Sequence, residues 1–152
     1  MSLSSTTLPK PKNWQDFERS TRELFAFVLG DPNTQMHGRT GQRQHGVDIY
    51  GFRDKDPNRL VGVQCKKSDD PITKTELKAE LTKAKKFNPP IAEFIIVTTA
   101  PRDGKIQKIA LELTNSLAKT ARPILVSVWG WQDVEEHAGK SAEAWNAFDQ
   151  TY

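Results

Sequence analysis

GVDIYGFRDKDPNRLVGVQCKK, residues 46–67, contains two apolar runs separated by the turn residues DKDPN. This pattern predicts a β-hairpin. If the turn is centred on its second aspartate, Phe52 faces Leu60 and Asp48 faces Gln64, and opposed residues have Cβ atoms about 5 Å apart. A slip of one residue would turn the apolar side chains to the wrong face, whereas a slip of two residues would keep the same face.

The alternation of side chains along the two predicted strands brings polar groups together. Asp48 is expected on one face of the hairpin, and the apolar Val47 and Ile49 on the other. On the second strand, Gln64 and Lys66 share a face. We therefore expect Asp48, Gln64 and Lys66 to point into one small volume.

This polar cluster suits a hard divalent cation, and Gly62 beside it is expected to leave room. The carboxylate of Asp48 and the amide oxygen of Gln64 are oxygen ligands of the type that Mg²⁺ uses, together with water and substrate phosphates. Bound Mg²⁺ polarises a phosphoryl group and acidifies a bound water. The ammonium of Lys66 would stabilise charge that develops on the phosphate.

A carboxylate also lies inside the apolar stripe of the first predicted helix. Glu18 is four residues after Trp14, one after Phe17 and three before Thr21, and these three residues belong to that stripe. A buried carboxylate without a partner is costly. We therefore expect Glu18 to approach a metal ion or Lys66.

The remaining apolar patterns alternate between helices and strands. Helices are predicted over 13–29 and 73–87, after the turn at 101–104, and from 132, and strands near 34–37, over 93–99 and over 123–129. The order α, β, β-hairpin, α, β, α, β, α predicts an α/β fold with a mixed β-sheet flanked by helices. We expect a disordered lead over 1–12, one domain over 13–138, and a helical tail, or the start of a linker to a further domain, over 139–152.

Composition limits the classes of function. The 152 residues are the size of one domain, and the net charge of +3 is compatible with a polyanionic partner. A single cysteine excludes an internal disulfide, and with only three histidines it also excludes a zinc cage built by the protein alone. The sequence has no apolar run of membrane-spanning length and no signal peptide, so a cytoplasmic location is expected.

The helical Glu, the G-V-D of one strand and the V-Q-C-K of the next resemble the PD-(D/E)xK nuclease superfamily. More narrowly, they resemble the restriction-endonuclease-like domain of Mrr-type enzymes, over about 13–128. The resemblance implies an αβββαβ core, to which this chain adds an αβ unit. It also implies hydrolysis of phosphodiester bonds in double-stranded DNA with Mg²⁺, for which Mn²⁺ substitutes. Matched to the motif, the catalytic residues are Glu18, Asp48, Gln64 and Lys66, and the metal ligands are Glu18, Asp48, Gln64 and the carbonyl of Cys65.

Two positions depart from the motif. Val47 replaces its proline, and Gln64 replaces its acidic residue and so removes one negative charge.

The favoured interpretation is a metal-dependent DNA endonuclease domain, the nuclease module of a prokaryotic restriction or antiviral defence protein. A structure-selective nuclease such as a Holliday-junction resolvase and a catalytically inactive DNA-binding module remain alternatives. Homo-oligomerisation and further C-terminal domains are compatible with each.

Basic residues near the predicted site are candidates for contact with DNA. Arg39 and Arg43 precede Asp48 in a polar loop, and Lys67 follows the motif lysine, so we expect these three to contact phosphates. The charges of the helix over 73–87, including Glu80, are interpreted as a solvated face. The histidines at 37 and 45 are interpreted as loop or capping residues.

Overall fold

A mixed sheet forms the centre of the computed structural model, which describes residues 7–38 and 46–149. Its strands lie in chain order: β1 (Gln35–Met36), β2 (Ile49–Phe52), β3 (Leu60–Lys66), β4 (Glu93–Thr98) and β5 (Leu125–Trp129). The pairs β1–β2 and β2–β3 are antiparallel, whereas β3–β4 and β4–β5 are parallel. The predicted α/β fold with a mixed sheet is confirmed.

Helices cover both faces of this sheet. They are α1 (Trp14–Leu29), α2 (Lys74–Ala84), α3 (Gly104–Ala118), α4 (Trp131–Ala138) and α5 (Ala142–Phe148). The side chain of Asn13 caps α1, and Thr73 with Glu76 forms the predicted capping box of α2. None of the helices in the described ranges combines the length and apolar character needed to cross a membrane.

Two apolar cores lie on opposite faces of the sheet. Side chains of α1, α4 and α5 pack with Ile49 and Val63 on one face, and side chains of α2 and α3 pack with Leu60 and Phe94 on the other. Strand β4 is buried on both faces, as its continuous apolar sequence predicts. Trp14, at the first position of α1, is 45% exposed, so the buried stripe of that helix begins at Phe17 rather than at Trp14.

The hairpin has the predicted register, with Phe52 opposite Leu60. One side chain differs from the prediction: Val47 packs in the core on the α2 side, on the other face of the sheet from Ile49. Strand β2 begins only at Ile49, so strict alternation does not extend back to Val47. A Cβ atom on Gly62 would lie 3.0 Å from Val47 Cγ2, so Gly62 makes room for Val47 rather than for the polar cluster.

Both ends of the described chain pack more closely than the sequence suggested. Leu8 belongs to the segment expected to be disordered, but it is 2% exposed, and its N–H donates to Glu135 Oε2 of α4 over 2.9 Å. In α5, Trp145 and Phe148 are buried, and Ser20 Oγ of α1 donates to the Ala147 carbonyl over 2.7 Å. The domain therefore extends through α5, which covers a second side of α1.

Candidate functional site

The backbone holds Asp48 at the end of the hairpin, directly before β2. Its N–H donates to the Val63 carbonyl over 2.8 Å, and its Oδ2 accepts the N–H of Cys65 over 2.9 Å. The residue is 5% exposed, and burial raises the pKa of its carboxyl above the ordinary value while the Cys65 N–H opposes that shift. The structure thus places the Asp48 carboxylate directly beside the Gln64–Lys66 segment of β3.

The side-chain oxygen of Gln64 is buried without a protein partner. Within the described ranges, no group donates a hydrogen bond to Gln64 Oε1. A buried acceptor left in this state costs about 1–3 kcal/mol. A cation bound at this oxygen would remove that cost.

Lys66 lies at the end of β3 and forms an ion pair that links the strand to α2. Its Nζ is 3.0 Å from Glu80 Oε1, and the side chain of Glu80 is 8% exposed. Lys83, one turn along α2, lies 3.5 Å from the same oxygen but is itself 59% exposed. Glu80 therefore contacts Lys66. Its interpretation from sequence as part of a solvated face is wrong.

The sequence contains a signal that identifies Glu80. This residue lies three positions after Leu77 and four before Ala84, both of which are fully buried on the apolar side of α2. A carboxylate at such a position needs a partner. The same argument identified Glu18 in the first helix. In α2 it was not applied, because the many lysines of that helix favoured a solvated interpretation.

Glu18 is buried and lies in the field of Asp48. It is 8% exposed, and its pKa is raised to about 7, chiefly by burial and further by the charge of Asp48. The residue is therefore largely shielded from bulk water. Among the described residues, the ion-pair partner of Lys66 is Glu80 and not Glu18, so an approach of Glu18 to a metal ion remains the open prediction.

Cys65 contributes through its backbone. Its N–H holds Asp48, and its side chain packs against the core on the α1 side. Burial and the nearby Asp48 carboxylate raise the pKa of the Cys65 thiol well above its ordinary value. The thiol therefore stays protonated near neutral pH and does not suit the role of a nucleophile.

These side chains form a largely buried acidic cluster beside Lys66. The charge of Glu80 further raises the pKa of Asp48, whereas the charges of Lys66 and His37 lower it. Within the described residues, no three His, Cys, Asp or Glu side chains are arranged to hold a metal ion by themselves. Mg²⁺ does not need such a site, because it uses one or two protein ligands and completes its shell with water and substrate. The oxygens of Asp48 and Gln64 are ligands of the type that it uses.

The predicted phosphate contacts lie partly in the described ranges. Lys67 is exposed directly after the motif lysine, whereas Arg39 and Arg43 lie outside the described residues, as does His45. His37 contacts backbone, since its N–H donates to the Asp48 carbonyl over 2.7 Å and its Nδ1 lies 2.9 Å from the Val47 carbonyl. This agrees with its interpretation as a loop residue.

The family model described as restriction endonuclease, Mrr_cat, matches residues 11–119, and the chain belongs to this family. The matched range includes Glu18, Asp48, the Gln64–Lys66 segment and Glu80. A comparison with curated proteins finds no match for the chain. The chain therefore contains a restriction-endonuclease-like nuclease domain, for which the family indicates endonuclease activity on DNA.

Proposed function

We propose that this member of the restriction endonuclease family is a Mg²⁺-dependent endodeoxyribonuclease domain that cleaves double-stranded DNA. One observation carries the proposal: the buried Gln64 Oε1 lacks a protein partner on the segment whose Cys65 N–H fastens the Asp48 carboxylate. In the proposal, adjoining strands supply two hard oxygens of different charge, one from Asp48 and one from Gln64. Such a pair is suited to Mg²⁺ shared with a phosphate.

The metal ligands in this proposal are Asp48, Gln64, the carbonyl of Cys65, and Glu18 directly or through water. When bound, Mg²⁺ would act as a Lewis acid toward the phosphate, and Mn²⁺ could replace it. The raised pKa values of Glu18 and Asp48 support the assignment, since a nearby cation would stabilise the ionised carboxylates. The glutamine makes the site less negative than one with an acid at position 64.

Lys66 has the catalytic role among the basic residues. Its ion pair with Glu80 fixes the ammonium at the end of β3, near Asp48. An ammonium held there stabilises negative charge on the phosphate and orients an attacking water. Glu80 is a positioning residue, because it acts on Lys66 rather than on the phosphate.

The DNA-binding role falls to exposed basic residues around this site. Lys67 follows the motif lysine and is exposed, and Arg39 and Arg43 belong to the segment between β1 and β2. Contacts of this type orient the backbone of a duplex without reading its sequence. A cytoplasmic restriction or antiviral defence role follows by analogy with the family, and homo-oligomerisation and additional C-terminal domains are compatible with it.

A plasmid-nicking assay tests the proposal. Supercoiled DNA should be converted to nicked and linear forms with Mg²⁺ or Mn²⁺ and should remain intact with EDTA, and Asp48→Asn should be inactive in the same preparation. Binding without metal-dependent cleavage would instead identify an inactive DNA-binding module. This outcome is the alternative that Gln64 raises, since it removes one negative charge from the metal site. Preferential cleavage of four-way junctions would favour the resolvase alternative.

A further inference from the structure

A cavity of about 470 Å³ opens between β2 and the segment that follows α2, and aromatic rings form much of its wall. This volume lies in the range of ligand pockets in proteins, about 300–1,000 Å³. The proposed nuclease chemistry makes no use of this cavity. Its rings and polar rim are His37, Tyr50, Phe52, Phe87, Lys86 and Asn88.

The rings contact one another edge to face or at a tilt rather than in a parallel stack. The centroids of His37 and Phe87 are 4.8 Å apart with planes inclined by 76°, and those of Tyr50 and Phe87 are 5.7 Å apart at 47°. All three residues are partly exposed. Planar aromatic surface is therefore accessible inside the cavity.

The wall of the cavity is built on the same backbone as the acidic cluster. Tyr50 follows Asp48 by two residues, which corresponds to a separation of about 7 Å along an extended chain. The N–H of His37 donates to the carbonyl of Asp48 over 2.7 Å. Phe87 follows α2, the helix that carries Glu80. The cavity wall and the acidic cluster therefore share strand β2 and the α2 segment as supports.

We propose that this cavity binds an unstacked nucleobase of the nucleic acid whose phosphate lies at Asp48 and Lys66. The inference rests on the proposed function and specifies its substrate. Aromatic rings offer a stacking surface to any base, the exposed Lys86 at the rim can contact the adjoining phosphate, and the Asn88 amide can bond to the edge of a base.

This proposal predicts a preference among DNA substrates. A base must leave the helical stack to enter the cavity, and this is least costly where the base is mismatched, bulged or single-stranded. The protein should therefore bind a duplex with one unpaired base more tightly than a fully paired duplex of the same length. Stacking of one base on aromatic side chains corresponds to about tenfold or more in affinity.

Fluorescence anisotropy with labelled 20-mer duplexes, with and without a single-base bulge, tests this preference. The wild-type protein in EDTA should bind the bulged duplex at least about tenfold more tightly. Phe87→Leu, which removes a ring but keeps an apolar side chain, should lose most of that difference. Phe27→Leu makes the same change at an aromatic residue of α1 that is 44% exposed and does not line the cavity, and it should retain the difference.

The experiment separates this inference from the proposed nuclease function. Mg²⁺-dependent cleavage of plain duplex without any gain from the bulge would overturn the base-binding site and leave the nuclease intact. A preference for the bulge that Phe87→Leu removes, without cleavage, would support the cavity and reject the catalytic proposal. If Phe87→Leu fails to fold, as judged by circular dichroism, Tyr50→Val should show the same loss, and retention of the full preference in that variant would overturn the proposal.

Discussion

At the scale of single residues, the chemistry is assigned to Asp48 and Lys66. Asp48→Asn and Lys66→Ala should each lower the rate of Mg²⁺-dependent cleavage by about 10²–10³ or more, because lost positioned charges of this type have effects of that size. Neither side chain belongs to the apolar cores, so both variants should fold and retain most of their DNA binding. Cleavage rates and binding constants measured on the same preparations check this.

Lys83→Ala provides a matched control for the lysine. Lys83 also lies near Glu80 Oε1, but it is exposed and lies one turn along α2 from that residue. Its removal should leave the cleavage rate within about threefold of wild type, since exposed ion pairs contribute little. Full activity in Lys66→Ala, in a preparation free of contaminating nuclease, would defeat the assignment of the site.

Gln64→Glu should increase the affinity for metal. The buried and unpartnered Oε1 would become part of a carboxylate, which restores a negative ligand beside Asp48. Isothermal titration with Mg²⁺ and Mn²⁺ should give tighter binding, with cleavage retained. Gln15→Glu, an equal change of charge at an exposed position of α1, should leave metal affinity unchanged. Unaltered or weaker binding by Gln64→Glu would show that position 64 does not bind the metal.

The two buried glutamates show how far single residues can be predicted from sequence. Glu18 stood out because it interrupts a long apolar stripe, and it is buried as expected. Glu80 occupies an equivalent position in α2, but the mean charge of that helix favoured a solvated interpretation. Which lysine pairs with it depends on how α2 lies against β3, and this tertiary relationship cannot be derived from the spacing within one helix.

At the scale of secondary-structure elements, the Lys66–Glu80 pair joins β3 to α2. A double-mutant cycle with Lys66→Met and Glu80→Gln should give a coupling free energy above about 1 kcal/mol, because one partner is almost fully buried. Urea unfolding in EDTA gives the free energy of unfolding of the wild type, the two single variants and the double variant. The corresponding cycle for Lys83 and Glu80 should give less than about 0.5 kcal/mol, because Lys83 is 59% exposed, against 30% for Lys66, and water screens its charge. Equal coupling in both cycles would contradict a special role for Lys66.

The elements differ in how well their sequences predict them. The hairpin register was predictable, since the turn residues and the alternation of apolar side chains agree on one pairing. The position of α5 was not, because its packing against α1 depends on tertiary contacts between distant parts of the chain. Ser20, whose hydroxyl bonds to the Ala147 carbonyl, reads in sequence as an ordinary polar surface residue of α1. Val47 was misplaced because alternation was extended beyond the first residue of β2.

At the scale of the whole molecule, Glu18 should make stability depend on pH. Its pKa is raised to about 7 in the folded protein from 4.5, so the folded state binds the proton more tightly. The associated stabilisation is present in full below about pH 4.5 and is lost as the pH rises through 7. The urea midpoint of the metal-free protein should therefore fall between pH 5 and pH 8, and Glu18→Gln should reduce that fall.

A matched variant and added metal sharpen this test. Glu23→Gln, at an exposed position of the same helix, should keep the pH dependence of wild type. Excess Mg²⁺ should diminish the fall in stability, since a bound cation favours the ionised carboxylate. A midpoint that rises from pH 5 to pH 8 in wild type and remains unaffected by Glu18→Gln would contradict the assignment.

DNA binding by the isolated chain should be largely electrostatic and independent of sequence. The net charge is only +3, and the proposed contacts are exposed basic side chains rather than a helix suited to reading bases. The logarithm of the binding constant should therefore fall linearly with the logarithm of salt concentration, with a slope of about −0.9 for each phosphate contacted. Lys67→Ala should make this slope shallower by about 1 while weakening all sequences alike. Lys108→Ala, an exposed lysine of α3, provides the control and should leave the slope unchanged. A binding constant that does not change with salt would indicate that phosphates are not the main contact. An equal effect of Lys67→Ala and Lys108→Ala would show that binding depends on net charge alone and not on the site around Lys66.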